Sequence, residues 1–129
     1  MARHWIRPAP ALAGLLAATG VLHFAVPEPF DAIVPRALPG LPRRWTYLSG
    51  AAELAVAVAV AAPRTRRLGG VAAAALFVGV FPANVQMALD WNRRSLPQRA
   101  LAWSRLPLQL PLIAWALRAS RDRATTGAP

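Results

Sequence analysis

The chain has 129 residues, a length for one domain, with 56% hydrophobic residues, a net charge of +10 and a pI near 12.0. All 15 basic residues are arginines, and they flank apolar runs instead of forming one basic face, which argues against nucleic-acid binding and fits attraction to lipid headgroups. With no cysteine, the sequence carries no disulfide, thiolate metal site or thiol redox chemistry, so any redox role needs a cofactor or partner.

In chain order, a basic start with Trp5 leads into residues 8–26, PAPALAGLLAATGVLHFAV, about long enough for one membrane span. It resembles a signal peptide in its positive start and in Ala17 and Ala18. The polar His23 inside the run and three further spans downstream favour a retained first helix. Pro8 and Pro10 fit a first turn, where a missing N–H costs little. Residues 27–44, PEPFDAIVPRALPGLPRR, hold five prolines and cannot form one regular helix. Phe30, Ile33, Val34, Leu38 and Leu41 give this segment an apolar side, consistent either with a loop resting on the interface or with a lid over the mouth of a bundle.

The second span, residues 45–62, WTYLSGAAELAVAVAVAA, is apolar except for Glu53 near its middle. An ionised side chain in hydrocarbon costs roughly 3 kcal/mol or more, so Glu53 requires partners or a polar cavity. After the basic turn at Arg64, Arg66 and Arg67, the third span covers 68–90, with Pro82 expected to bend it and free the carbonyl of Val78. A fourth span, about 99–118, carries Pro107 and Pro111, which predict a kinked or irregular first half. The polar tail from Ser120 is expected to fray. The sum is a single all-α domain over 1–129, an integral membrane four-helix bundle with a proline-rich interfacial loop between its first two helices.

Four spans place both ends of the chain on one side. Arg3, Arg7, Arg64, Arg66, Arg67, Arg118, Arg121 and Arg123 lie there, against Arg36, Arg43, Arg44, Arg93, Arg94, Arg99 and Arg105 opposite. This excess of one arginine orients the termini to the cytoplasm of a multi-pass protein in a bacterial inner membrane. Aromatic residues agree, with Trp5 and Trp115 at one interface and Trp45, Tyr47, Trp91 and Trp103 at the other.

Counting helical rise puts His23, Glu53, Asn84, Arg105 and Gln109 in one layer, roughly 5 to 15 Å below the interface away from the termini. Thr19 with His23, Ser49 with Glu53, and Arg105 with Gln109 are four apart and share helix faces. Gly50, Ala57 and Gly79 would let the helices approach closely. The simplest arrangement pairs Glu53 with Arg105 and completes a pocket with His23, Asn84 and Gln109, Thr19 and Ser49 supporting. Bland readings stand beside it: Asn84 and Gln109 as interhelical glue, His23 meeting headgroups, Arg105 snorkelling. No metal-ligand cluster, nucleotide loop or nucleophilic triad is present, so no catalytic residue can be assigned and catalysis would need a partner.

The stretches HFAVPEPFDAIVPRALPG, LSGAAELAVAVAVAAPRTRR and VFPANVQMA together resemble the DoxX family of small four-helix bacterial membrane proteins. The likeness rests on His23 and Phe24 before a proline-rich loop, on Ser49, Gly50 and Glu53, and on Phe81, Pro82, Ala83 and Asn84, across about residues 11–118. It implies the same fold and a link to redox or thiol-stress partners, since the family takes its name from a subunit of a thiosulfate:quinone oxidoreductase. The expected role is therefore the membrane subunit of a quinone- or thiol-linked redox system, an oxidoreductase subunit with a quinone as candidate cofactor. Its expected partners are the lipid bilayer, a redox protein and further copies of the chain. The rival classes are a structural anchor for partner proteins and a small proton-coupled exporter.

Overall fold

A computed structural model describes residues 7–122; Arg3, Trp5, Arg123 and the tail beyond it lie outside the described residues. The protein is all-α, with no strand among those residues. Helix α1 spans Pro8–Ala25, opened by prolines that preset the first turn. The proline-rich segment forms a four-residue helix, α2 (Glu28–Asp31), and its last residues open α3, which runs Pro42–Ala61. The third apolar stretch is two helices, α4 (Arg66–Gly79) and α5 (Phe81–Asp90), followed by a 3-10 turn at Trp91–Arg93. Pro82 causes this break: its ring lacks an N–H, and it sits in the first turn of α5, where none is needed. Helix α6 runs Leu96–Arg121.

Two boundaries differ from the sequence expectation for one reason. Both α3 and α6 begin about one turn early because Pro42 and Pro97 act as first-turn residues instead of loop breakers. The fourth stretch is not broken, since α6 continues as helix through Pro107 and Pro111.

Inward-facing stripes recur every three or four residues. On α3 the stripe is Thr46, Gly50, Glu53, Ala57 and Val60; on α1 it is Ala9, Leu12, Leu16, Gly20 and His23. Helix α1 packs on α3, α3 on α4, α4 on α6 and α6 back on α1, so α3 and α6 are not neighbours. Contacts such as Thr19 with Glu53 and Asn84 with Arg105 join helices running in opposite directions. The core divides by height. Toward the chain ends it is apolar and built from small residues, Ala9, Ala13, Ala57, Ala73, Ala74, Ala116 and Ala119 around Leu12, Leu16, Val60 and Phe77. At the opposite end a smaller cluster of Met87, Ala88 and Ala102 is covered by Ile33 from the proline-rich segment.

The outer surface is apolar as well. Val58, Leu68, Val78, Leu96, Leu101, Leu108 and Leu110 are all more than half exposed, which places hydrophobic side chains on both sides of the helices. Pro8–Ala25 and Arg66–Arg93 are long and apolar enough to cross a membrane.

Glycines set the closest approaches. A Cβ added at Gly50 would lie 2.7 Å from His23 Cβ and 2.8 Å from Phe24 Cε2, and one at Gly70 would meet the Ser120 backbone at 2.6 Å. Gly79, expected to serve the same purpose, has nothing within 4 Å and plays no part in close packing. Replacing Gly50 with Ala should therefore destabilise by about 1–3 kcal/mol through overpacking. Gly14→Ala, where a Cβ meets open space, should stabilise by about 0.5–1 kcal/mol. Unfolding in detergent measures both, and equal effects at the two sites would contradict the close crossing.

Candidate functional site

The close crossing of α1 and α3 delivers the first polar group. Glu53 lies on the inward stripe of α3, its side chain 15% exposed, and Thr19 Oγ1 sits 2.9 Å from its Oε2. His23, one turn further along α1, places Nδ1 3.5 Å from the same oxygen and 2.7 Å from the carbonyl of Thr19. A carbonyl only accepts, so Nδ1 carries the proton and Nε2 is the free edge of the ring. Phe30 of α2 stacks on the imidazole face at 3.8 Å between centroids, leaving the Nε2 edge uncovered by that ring. The Thr19 hydroxyl also reaches the carbonyls of Leu15 and Leu16, and its single proton can serve only one of these acceptors at a time.

The pairing of Glu53 with Arg105 is not formed. These residues sit on α3 and α6, which are not neighbours, so each finds a partner on an adjoining helix instead. Arg105 Nε donates to Asn84 Oδ1 at 3.2 Å, and Gln109, one turn deeper on α6, is buried. The expected single pocket is thus two polar groups: Thr19, His23 and Glu53 between α1 and α3, and Asn84 and Arg105 between α5 and α6. Ser49 is only half-buried and forms no hydrogen bond with Glu53.

A third group, missed in the sequence, fastens the proline-rich segment. Thr46, 2% exposed, donates to Asp31 Oδ1 at 2.6 Å, and Arg43 Nε donates to Asp31 Oδ2 at 2.8 Å. Arg36 meets Asp90 of α5 at 2.9 Å, so the segment spans from α3 to α5 over this end of the helices, as a lid does. The signal for Thr46 was available, since it lies seven residues before Glu53 on the same 3.6-period face. Arg66 was also missed: it is buried and donates to the carbonyls of Val60 and Ala61, satisfying the open C-terminal end of α3.

Two concavities lie in the proline-rich segment. One of about 370 Å³ is lined by residues including Asp31, Arg36 and Leu38, and one of about 360 Å³ by residues including Arg44, Trp45 and Leu48. Neither reaches Glu53 or Arg105. No three His, Asp or Glu side chains converge to hold a metal among the described residues.

A family model described as a domain of unknown function (DUF8561) matches residues 12–120. No curated protein and no solved structure matches the chain.

Two outcomes follow from this geometry. Glu53→Gln combined with His23→Gln should show a coupling of at least about 1 kcal/mol in a double-mutant cycle, whereas Glu53→Gln with Arg105→Gln should be additive within about 0.5 kcal/mol. The reverse pattern in detergent unfolding would restore the Glu53–Arg105 pair.

For Asp31, burial pushes the carboxyl upward, but the hydrogen bonds from Thr46 and Arg43 and the Arg43 charge outweigh it and hold the group below its ordinary 3.8. A depressed carboxylate contributes stability present above that ordinary value and lost as pH falls through the folded one. Hydrogen-exchange protection in residues 27–44, corrected for the intrinsic rate at each pH, should therefore fall as pH drops below 3.8, and Asp31→Asn should abolish this acid step. An unchanged acid profile in that variant would assign the step elsewhere.

Proposed function

The chain belongs to the DUF8561 family, and on that premise we propose that it is a four-helix integral membrane protein acting as the membrane subunit of a quinone-linked redox system. Its spans are α1, α3, the joined α4 and α5, and α6. The family match runs from α1 through α6 and so supports one unit, while its description leaves the chemistry to the geometry. Support for the bilayer comes from the two apolar stretches of membrane length and from the outward leucines and valines of α3 and α6. The inner membrane of a bacterium is the setting, with the chain ends cytoplasmic. Arg66 is held by backbone carbonyls and Arg105 lies within α6, which leaves the one-arginine excess toward the terminal side unchanged.

The observation that carries the functional reading is the Glu53–His23 pair, with Thr19 beside it and Phe30 above it. An acid and an imidazole at one depth can take up and release a proton inside an apolar layer, a use to which intramembrane ionisable residues are commonly put. Oxidation of a hydroquinone releases two electrons and two protons. His23 and Glu53 would take one proton each: Nε2 of His23 would accept the first from a hydroquinone hydroxyl while its Nδ1 proton passes to Glu53, and Nε2 would then accept the second. The electrons pass to a partner redox protein, since the sequence has no cysteine. The DoxX-like residues support the same reading, because His23, Phe24, Gly50 and Glu53 form this crossing.

One observation favours a second reading, a structural anchor for a partner protein: Thr19, His23 and Phe30 surround Glu53 with side chains, as a packing network would. The absence of a Glu53–Arg105 pair favours the exporter, which would need Glu53 open to substrate, whereas Thr19 and His23 hold it.

In nanodiscs the protein should bind decylubiquinone saturably. Glu53→Gln and His23→Gln should each weaken binding by about tenfold or more, the scale of one hydrogen bond to a charged group. Uptake no greater than that of empty nanodiscs would reject the quinone reading and leave the anchor.

A further inference from the structure

The second polar group has unmet donors. Asn84 is 2% exposed, and its Oδ1 accepts from Arg105 Nε. Because Nε–H can only donate, this contact fixes the amide orientation and leaves Nδ2 buried with no acceptor. The remaining N–H groups of the Arg105 guanidinium also find no acceptor among the described residues, and no carboxylate there forms an ion pair with it. Asp90, the acid at this end of α5, is engaged at both oxygens, one by Arg36 and the other by Gln86. Glu53 is held by α1. Arg105 therefore stands roughly 14 Å along α6 by helical rise, half-buried, with its positive charge uncompensated.

We propose that Arg105 and Asn84 form a binding site for an anionic oxygen group, a phosphate or carboxylate. The planar guanidinium presents paired donors matched to two such oxygens, and the Asn84 amide adds a third direction. Gln109 sets the depth of the site. Its Oε1, one turn further along α6, is buried without a donor and repels an anion, so the ligand sits on the headgroup side of Arg105. The same chemistry can come from the phosphate of an anionic lipid or from a soluble anion. This site is separate from the Glu53–His23 pair and does not rest on the quinone reading.

The test uses full-length protein in neutral detergent with three probes: dioleoylphosphatidylglycerol, dioleoylphosphatidylcholine and inorganic phosphate. Native mass spectrometry should find phosphatidylglycerol retained in preference to phosphatidylcholine, with a matching rise in melting temperature. Arg105→Gln should weaken that binding by about tenfold or more, the scale of lost charged hydrogen bonds. Asn84→Asp should weaken it similarly while remaining folded, because the new carboxylate pairs with Arg105 internally. Arg94→Gln, at an exposed arginine on the same side, should leave it unchanged. A response to inorganic phosphate alone, lost in the same two variants, retains the site and assigns it to a soluble anion. Wild-type protein that responds to neither anion, or anion binding indifferent to both Arg105→Gln and Asn84→Asp, overturns the proposal.

Discussion

A carboxylate on an otherwise apolar helix must be met at its own depth by hydrogen-bond donors, and helices can meet it only if their backbones come close enough. Gly50 provides that closeness. Without a side chain there, the Cβ of His23 and the ring of Phe24 settle against the α3 backbone, and Thr19 and His23 reach Glu53. The α1–α3 crossing also positions Phe30 over the imidazole and brings Asp31 to Thr46, so the proline-rich segment inherits its place from the same contact. A bulkier residue at position 50 would therefore disturb the packing, the polar pair and the segment above them together.

Much of the fold was legible because hydrophobic length and proline position carry direct structural meaning. The four apolar runs correspond to helical stretches, and Pro82 marks the break between α4 and α5. Prolines misled where their context was ambiguous. Pro42 and Pro97 look like loop residues but occupy first turns, and Pro107 and Pro111 look like breakers but lie within α6. Sequence alone does not state whether a proline's missing N–H would have had a partner.

That polar side chains such as His23, Asn84 and Gln109 turn inward was legible, but their pairing was not. Helical rise placed Glu53 and Arg105 at comparable height, yet which helices are neighbours is a property of packing order around the axis, and α3 and α6 are not neighbours. Charge complementarity suggested the wrong partner because a hydroxyl and an imidazole on an adjoining helix satisfy a carboxylate at shorter range than an arginine across the bundle. Asp31 with Thr46 escaped notice for a different reason: one lies in an irregular segment whose path no periodicity describes.

The contacts of Glu53 and Arg105 each close between helices near one another in the chain: Glu53 on α3 finds Thr19 and His23 on α1, and Arg105 on α6 finds Asn84 on α5. Neither contact needs a partner from the other half of the molecule, so the small-residue core, with Ala9, Ala57, Ala73 and Ala116 among its members, is left to join the α1–α3 pair to the α4–α6 helices.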